Sequence, residues 1–146
     1  MPVYFHSERI KFPLDSESIY KQWILGVLSK HNKQPGNLNI IFVSKDYMLK
    51  MNKKFLNHNY HTDVISFDDS ENDVISGDIF ISVDQVKINS TYHNVGFINE
   101  LCRVMIHGVL HLIGFGDTDN AEKRIMRVQE DQALDMLDVT DDGKDI

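Results

Sequence analysis

Residues 98–113 read INELCRVMIHGVLHLI, and Gly114 follows them. Apolar side chains occupy most sides of this stretch (Ile98, Leu101, Val104, Met105, Ile106, Val109, Leu110, Leu112 and Ile113), which predicts a long central buried helix ended by Gly114. One polar stripe interrupts it. Glu100, Arg103, His107 and His111 follow one another at spacings of three, four and four, and a period of about 3.6 residues puts them on one face. A helix apolar on most sides needs a sheet or other helices around it, and the flanking sequence supplies both.

Upstream, Val3–Phe12 alternates loosely and predicts a first strand. Asp15 or Ser16 can cap a helix whose face carries Ile19, Trp23 and Val27. Lys30–Asn37, with Pro35-Gly36, reads as a loop, and Leu38–Val43 as a strand rich in branched residues. Ser44 can cap a helix with Tyr47, Met48, Met51 and Phe55 inward and Lys50, Lys53 and Lys54 solvated. A polar loop with Asn57, His58, Asn59 and His61 precedes a strand at Val64–Phe67, and an acidic loop leads to a strand at Ser76–Ser82. Asp84 can cap a helix running to about Asn94, and the last helix runs from about Asn120 to Leu137. The fold class that follows is α+β, a small mixed β-sheet with helices packed on it.

A length of 146 residues suits one domain, residues 1–137, followed by an acidic and frayed tail at 138–146. Hydrophobic residues at 42% and charged residues at 25% exclude disorder throughout. The net charge of −7 argues at face value against a nucleic-acid partner. However, Asp138–Ile146 (−3) and Asp68–Asp73 (−4) hold the whole excess, so the remainder is neutral and can carry a local basic surface. The N-terminal MPVYFHSERIKF lacks the apolar run of a secretory signal and no window suits a membrane span, so a cytoplasmic protein without membrane contact is expected. Cys102, the single cysteine, makes neither an internal disulfide nor a thiolate site, and any metal must be held by His and carboxylates.

His107 and His111 are one turn apart, so both imidazoles can reach one metal, as the paired His of H-E-x-x-H helices do. Gly108 stands where a metalloprotease places its general-base Glu, and it leaves room for a substrate or another backbone. The competing reading is two hydrogen-bonded core histidines. Gly114 favours the metal, because it can turn the chain so that Asp117 or Asp119 folds back as a third ligand; two His, one carboxylate and a water form an open zinc site.

HGVLHLIGF (His107–Phe115) resembles the signature H-G-x-L-H-L-x-G-Y-D-H of the YbeY family of endoribonucleases, and HTDVISF (His61–Phe67) resembles its P-T-D-V-L-S-F segment. Gly77-Asp78-Ile79 and the order of elements match as well. The resemblance implies a zinc-dependent, single-strand-specific endoribonuclease, holding one Zn2+ and acting on ribosomal RNA in ribosome maturation and quality control, with RNA and the ribosome as partners. It makes His107, His111 and Asp117 the metal ligands, Asp117 taking the place of a third His. An anionic ligand lowers the effective charge on the metal, so water there is less acidic than in a three-His site. Leu56 stands where the family carries an Arg that holds the RNA phosphate. Arg103, one turn before His107, is then the candidate catalytic residue supplying positive charge, against the alternative of an ion pair with Glu100. Lys53, Lys54, His58 and His61 could meet the RNA backbone from the rim, and Asp63 and Asp78 suit orienting roles more than that of a base. Two other functions stay open: a zinc hydrolase of another substrate such as peptide, and a non-catalytic ribosome-associated protein with a structural metal.

Overall fold

The computed structural model describes residues 3–8, 10, 12, 14–56 and 62–137. Its elements are β1 (Val3–Glu8), α1 (Glu17–Lys30), β2 (Gln34–Val43), α2 (Lys45–Leu56), β3 (Val64–Asp68), β4 (Val74–Ser82), α3 (Val83–Tyr92), α4 (Phe97–Ile113) and α5 (Asn120–Asp135). The class is α+β. The sheet order is β1-β2-β4-β3, with β1, β2 and β4 parallel and β3 antiparallel to β4. Parallel neighbours need a crossover, and α1 supplies it between β1 and β2.

Strand alternation separates two faces. Leu38, Ile40 and Phe42 of β2 and Ile75, Ile79 and Ile81 of β4 point into the main core with α1 and α4, while Ile41, Val43, Ile65, Phe67 and Phe80 meet α2 on the opposite face. α4 is buried through Leu101, Val104, Met105, Ile106, Val109 and Leu110, as its apolar girth requires. Gly108 sets how closely it approaches the sheet: a Cβ there would lie 2.7 Å from Ile79 Cγ2 and 3.3 Å from Ser66 Oγ. The space is filled by the side chain of Ile79 rather than by a backbone or an open void. Behind α4 lies α5, tied to α1 by Trp23 Nε1, which donates to the Ala133 carbonyl at 2.7 Å.

Several expectations change. β2 begins at Gln34, inside the expected loop, and absorbs Pro35-Gly36 at a register irregularity between Pro35 and Leu38, where a missing N–H is tolerated. β1 ends at Glu8 rather than Phe12. Ser82, not Asp84, caps α3, its Oγ accepting from Gln85 N–H at 3.2 Å, while Asp84 accepts from Lys45 N–H at 3.0 Å. Phe55 is 57% exposed instead of inward, because the end of α2 meets the edge strand β3, where Phe67 packs edge-on against its ring. The tail at 138–146, with His58 and His61, lies outside the described residues. Among the described residues no single helix is long and apolar enough to cross a membrane.

Candidate metal centre

His107 and His111 project from successive turns of α4, their ring centroids 4.6 Å apart and their planes at 82°. Gly114, at φ 127°, ends the helix, and Gly114 N–H and Phe115 N–H both donate to the Leu110 carbonyl at 3.1 and 3.0 Å. This turn brings Asp117 back to the stripe, its Oδ2 3.3 Å from His107 Nε2 and 3.4 Å from His111 Nε2. Two donors at about 2.0–2.1 Å from a tetrahedral centre are about 3.3–3.4 Å apart, so both contacts match edges of a coordination tetrahedron. The ligand atoms of all three residues lie within 4.8 Å of one another, and the three could hold one metal ion. None is fully buried, which leaves a further position accessible. Asp119 is not brought to this point: its Oδ1 accepts from Glu122 N–H at 2.7 Å as the N-cap of α5. Glu122 in turn accepts from the N–H (2.9 Å) and hydroxyl (2.6 Å) of Thr118, fixing the residue beside Asp117.

Behind His107 stands a group that the sequence reading missed. His107 Nδ1 lies 2.6 Å from Glu130 Oε2, and Glu130 Oε1 accepts from Arg103 Nη1 at 2.8 Å. Arg103 Nη2 donates to Asp131 Oδ1 at 2.7 Å. Burial would push the Glu130 carboxyl up, yet the hydrogen bonds from His107 and Arg103 hold it below its ordinary value. Burial likewise disfavours the His107 cation, but the bond and charge of Glu130, then Asp117 and Asp63, raise its pKa overall. Glu130 at Nδ1 fixes the ring so that Nε2 points at Asp117 and His111. Without a metal the raised pKa favours the protonated ring, whereas in the neutral ring a proton held on Nδ1 leaves the Nε2 lone pair free for a metal. One signal pointed to Glu130: Met126, Glu130 and Ala133, at spacings of four and three, form the buried stripe of α5, and a carboxylate on such a stripe needs a partner. Arg103 pairs with α5 rather than with Glu100, and it does not line the cleft in front of the histidines.

That cleft has a volume of about 480 Å³ and is walled by Thr62–Ser66 and Asp68 on one side and by Asn52 and Leu56 of α2 on the other. Leu56, at the position of the resembled Arg, gives this wall an apolar side chain. The Asp63 carboxyl is pushed up by burial, against the opposing pull of His107, and it accepts from Asn89 Nδ2 at 3.1 Å. Asp78 lies elsewhere, accepting from Asn39 Nδ2 at 3.1 Å. Lys53 and Lys54 are exposed on α2 outside the cleft lining. Ser66 Oγ is buried in the cleft floor with no hydrogen-bond partner among the described residues. The Cys102 thiol, buried and pushed up to about 12, takes no part.

Among solved structures, the chain resembles the solution structure of TM1509 from Thermotoga maritima, with a TM-score of 0.66 at 24% identity over 92% of this chain and 88% of that one; this likeness speaks to the fold. Among curated proteins, a protein named Endoribonuclease YbeY from Karelsulcia muelleri (strain GWSS) is 49% identical over 87% of this chain and 90% of its own length. Another of the same name, from Azobacteroides pseudotrichonymphae genomovar. CFP2, is 42% identical over 94% of this chain and 99% of its own. The family model described as Endoribonuclease YbeY matches residues 3–138, and the chain therefore belongs to the YbeY endoribonuclease family.

Proposed function

We propose that this chain is a zinc-dependent endoribonuclease that cuts single-stranded segments of ribosomal RNA in the cytoplasm, in ribosome maturation and quality control. The observation that carries the reading is the convergence of His107 Nε2 and His111 Nε2 on one Asp117 oxygen at tetrahedral-edge spacing, on the floor of an open cleft. Two imidazoles and a carboxylate with a further position open suit a catalytic zinc. When bound, the ion supplies Lewis-acid polarisation of a phosphoryl oxygen and a lower pKa for water.

The protein's own groups do the rest. Glu130 fixes the tautomer and angle of His107, and Arg103 holds Glu130, so Arg103 acts as a positioning residue rather than a direct phosphate ligand. Asp63, pushed up by burial, exchanges a proton nearer to working pH than a free carboxylate does, and it lies in the cleft wall. Leu56 offers no charge to the phosphate, so cations outside the cleft must help hold the strand.

Elemental analysis of the purified protein, followed by RNA and peptide substrates tested with zinc and with a chelator, checks this reading. RNA should be cut with zinc, spared under chelation, and peptide left intact. Cleavage of peptide alone would move the site to another hydrolase class, and a zinc-loaded chain that cuts nothing would make the metal structural. Asp117→Asn should release metal far more readily than Asp119→Asn, whose amide oxygen can still cap α5. Equal metal retention by Asp117→Asn and the unaltered chain would remove Asp117 from the site.

A further inference from the structure

α2 separates two depressions. Asn52 and Leu56 wall the metal cleft, whereas Tyr47, Lys50, Lys54 and Phe55, on the other side of the same helix, line a groove of about 460 Å³. The charge of this helix is unlike that of the chain: it carries Lys45, Lys50, Lys53 and Lys54 against Asp46, which also lines the groove, in a protein of net charge −7. Phe55 is more than half exposed, yet its ring is held. Phe67 meets it edge-on at 5.9 Å, Phe80 holds Phe67 in turn at 5.9 Å, and Lys54 Nζ lies 5.3 Å from the Phe55 centroid.

A solvated helix face accounts for the lysines but not for an exposed phenylalanine braced by a second ring. The contact face of a protein partner is depleted in lysine, whereas here Lys50 and Lys54 share the groove with Phe55. An exposed aromatic ring beside ammonium groups is how proteins hold single-stranded nucleic acid, bases stacking on the ring and phosphates meeting the cations. We infer that this groove binds the same RNA strand outside the cut site, with a flanking base on Phe55 and its phosphates on Lys50 and Lys54. The inference rests on RNA as the substrate. It also places the cation that Leu56 lacks: the grip lies one helix width away, about 10 Å, a span that a few nucleotides cover.

Fluorescence anisotropy on the intact protein, with single-stranded 2′-O-methyl RNA of about 12 nucleotides and of about 2, the latter too short to join the cleft to the groove, tests the inference. Phe55→Ala should weaken the longer strand about tenfold and leave the shorter one unchanged, while Phe55→Trp keeps the affinity. The double change Lys50→Ala with Lys54→Ala should lower the slope of log K against log salt by about 1.4. Melting curves check that the variants fold, and the Trp variant controls for any loss of packing against Phe67. Equal affinity of Phe55→Ala and the unaltered chain for the longer strand overturns the inference, as does equal weakening of both strands, which would place the effect in the metal cleft. An unaltered chain that binds neither strand overturns the nuclease reading itself and this groove with it.

Discussion

His107 and His111 are the same residue type on the same helix, one turn apart, and the fold treats them differently. His107 is gripped from behind: Glu130 fixes its Nδ1, Arg103 fixes Glu130, and the carboxylate sits in a buried stripe of α5. His111, one turn nearer the end of α4, faces Asp117, and among the described residues no side chain hydrogen-bonds its Nδ1. One imidazole is therefore oriented before any metal arrives, and the other keeps freedom to adjust to it. A site built this way takes its angle from α5 and its tolerance from the loop that follows Gly114.

Glu130→Gln breaks the asymmetry most severely. Loss of such a brace lowers metal affinity about 10- to 100-fold, read by chelator competition. A double-mutant cycle sharpens it: Glu130→Gln should add nothing once His107 is Ala and keep its full effect once His111 is Ala. Equal effects in both backgrounds would mean that Glu130 supports the helix as a whole. Arg103→Ala comes next. It removes the Glu130 and Asp131 bonds and should destabilise the chain by about 1–3 kcal/mol in urea unfolding, with a smaller loss of metal affinity than Glu130→Gln. Unchanged stability and metal affinity with weaker RNA binding would instead make Arg103 a direct phosphate contact.

The smallest effect belongs to Glu100, buried on the same stripe and coupled to α5 through the charge of Arg127. Burial pushes its carboxyl up; His93, Arg103 and Arg127 pull it down and Asp63 pushes it further up. The folded chain thus binds this proton more tightly than the unfolded one, so its contribution lowers stability as pH rises from 4.5 through the raised value. Glu100→Gln should flatten thermal stability against pH in that window. An unchanged profile would assign the buried charge to another group.

Features of short range were legible in the sequence. The girth of α4, the histidine pair and the turn at Gly114 each depend on residues within a few positions of one another. By spacing alone either Asp117 or Asp119 could turn back toward the histidines, and the position of the family's third His favours Asp117; in the structure Asp119 is taken up as the cap of α5. Arg103 shows the limit most plainly. Spacing offers Glu100 as its partner, whereas helix packing supplies Glu130, 27 residues on. Phe55 was misread for a related reason: helical periodicity gives a face, but the width of the sheet decides which residues on that face find cover.

The position of Glu130 also has a bearing on the order in which the molecule is made. The ligand helix is complete before α5 exists, since Glu130 follows His107 by 23 residues. At synthesis rates of about 5–20 residues per second, a nascent chain carries the histidine for about 1–5 seconds before its brace has been polymerised. Both must then clear the exit tunnel and α5 must dock, through Trp23 and Ala133 among others, before the imidazole is oriented. Capture of a metal by the proposed site would thereby wait for α5 to dock, and chains terminated before α5 carry His107 without the brace that fixes its angle.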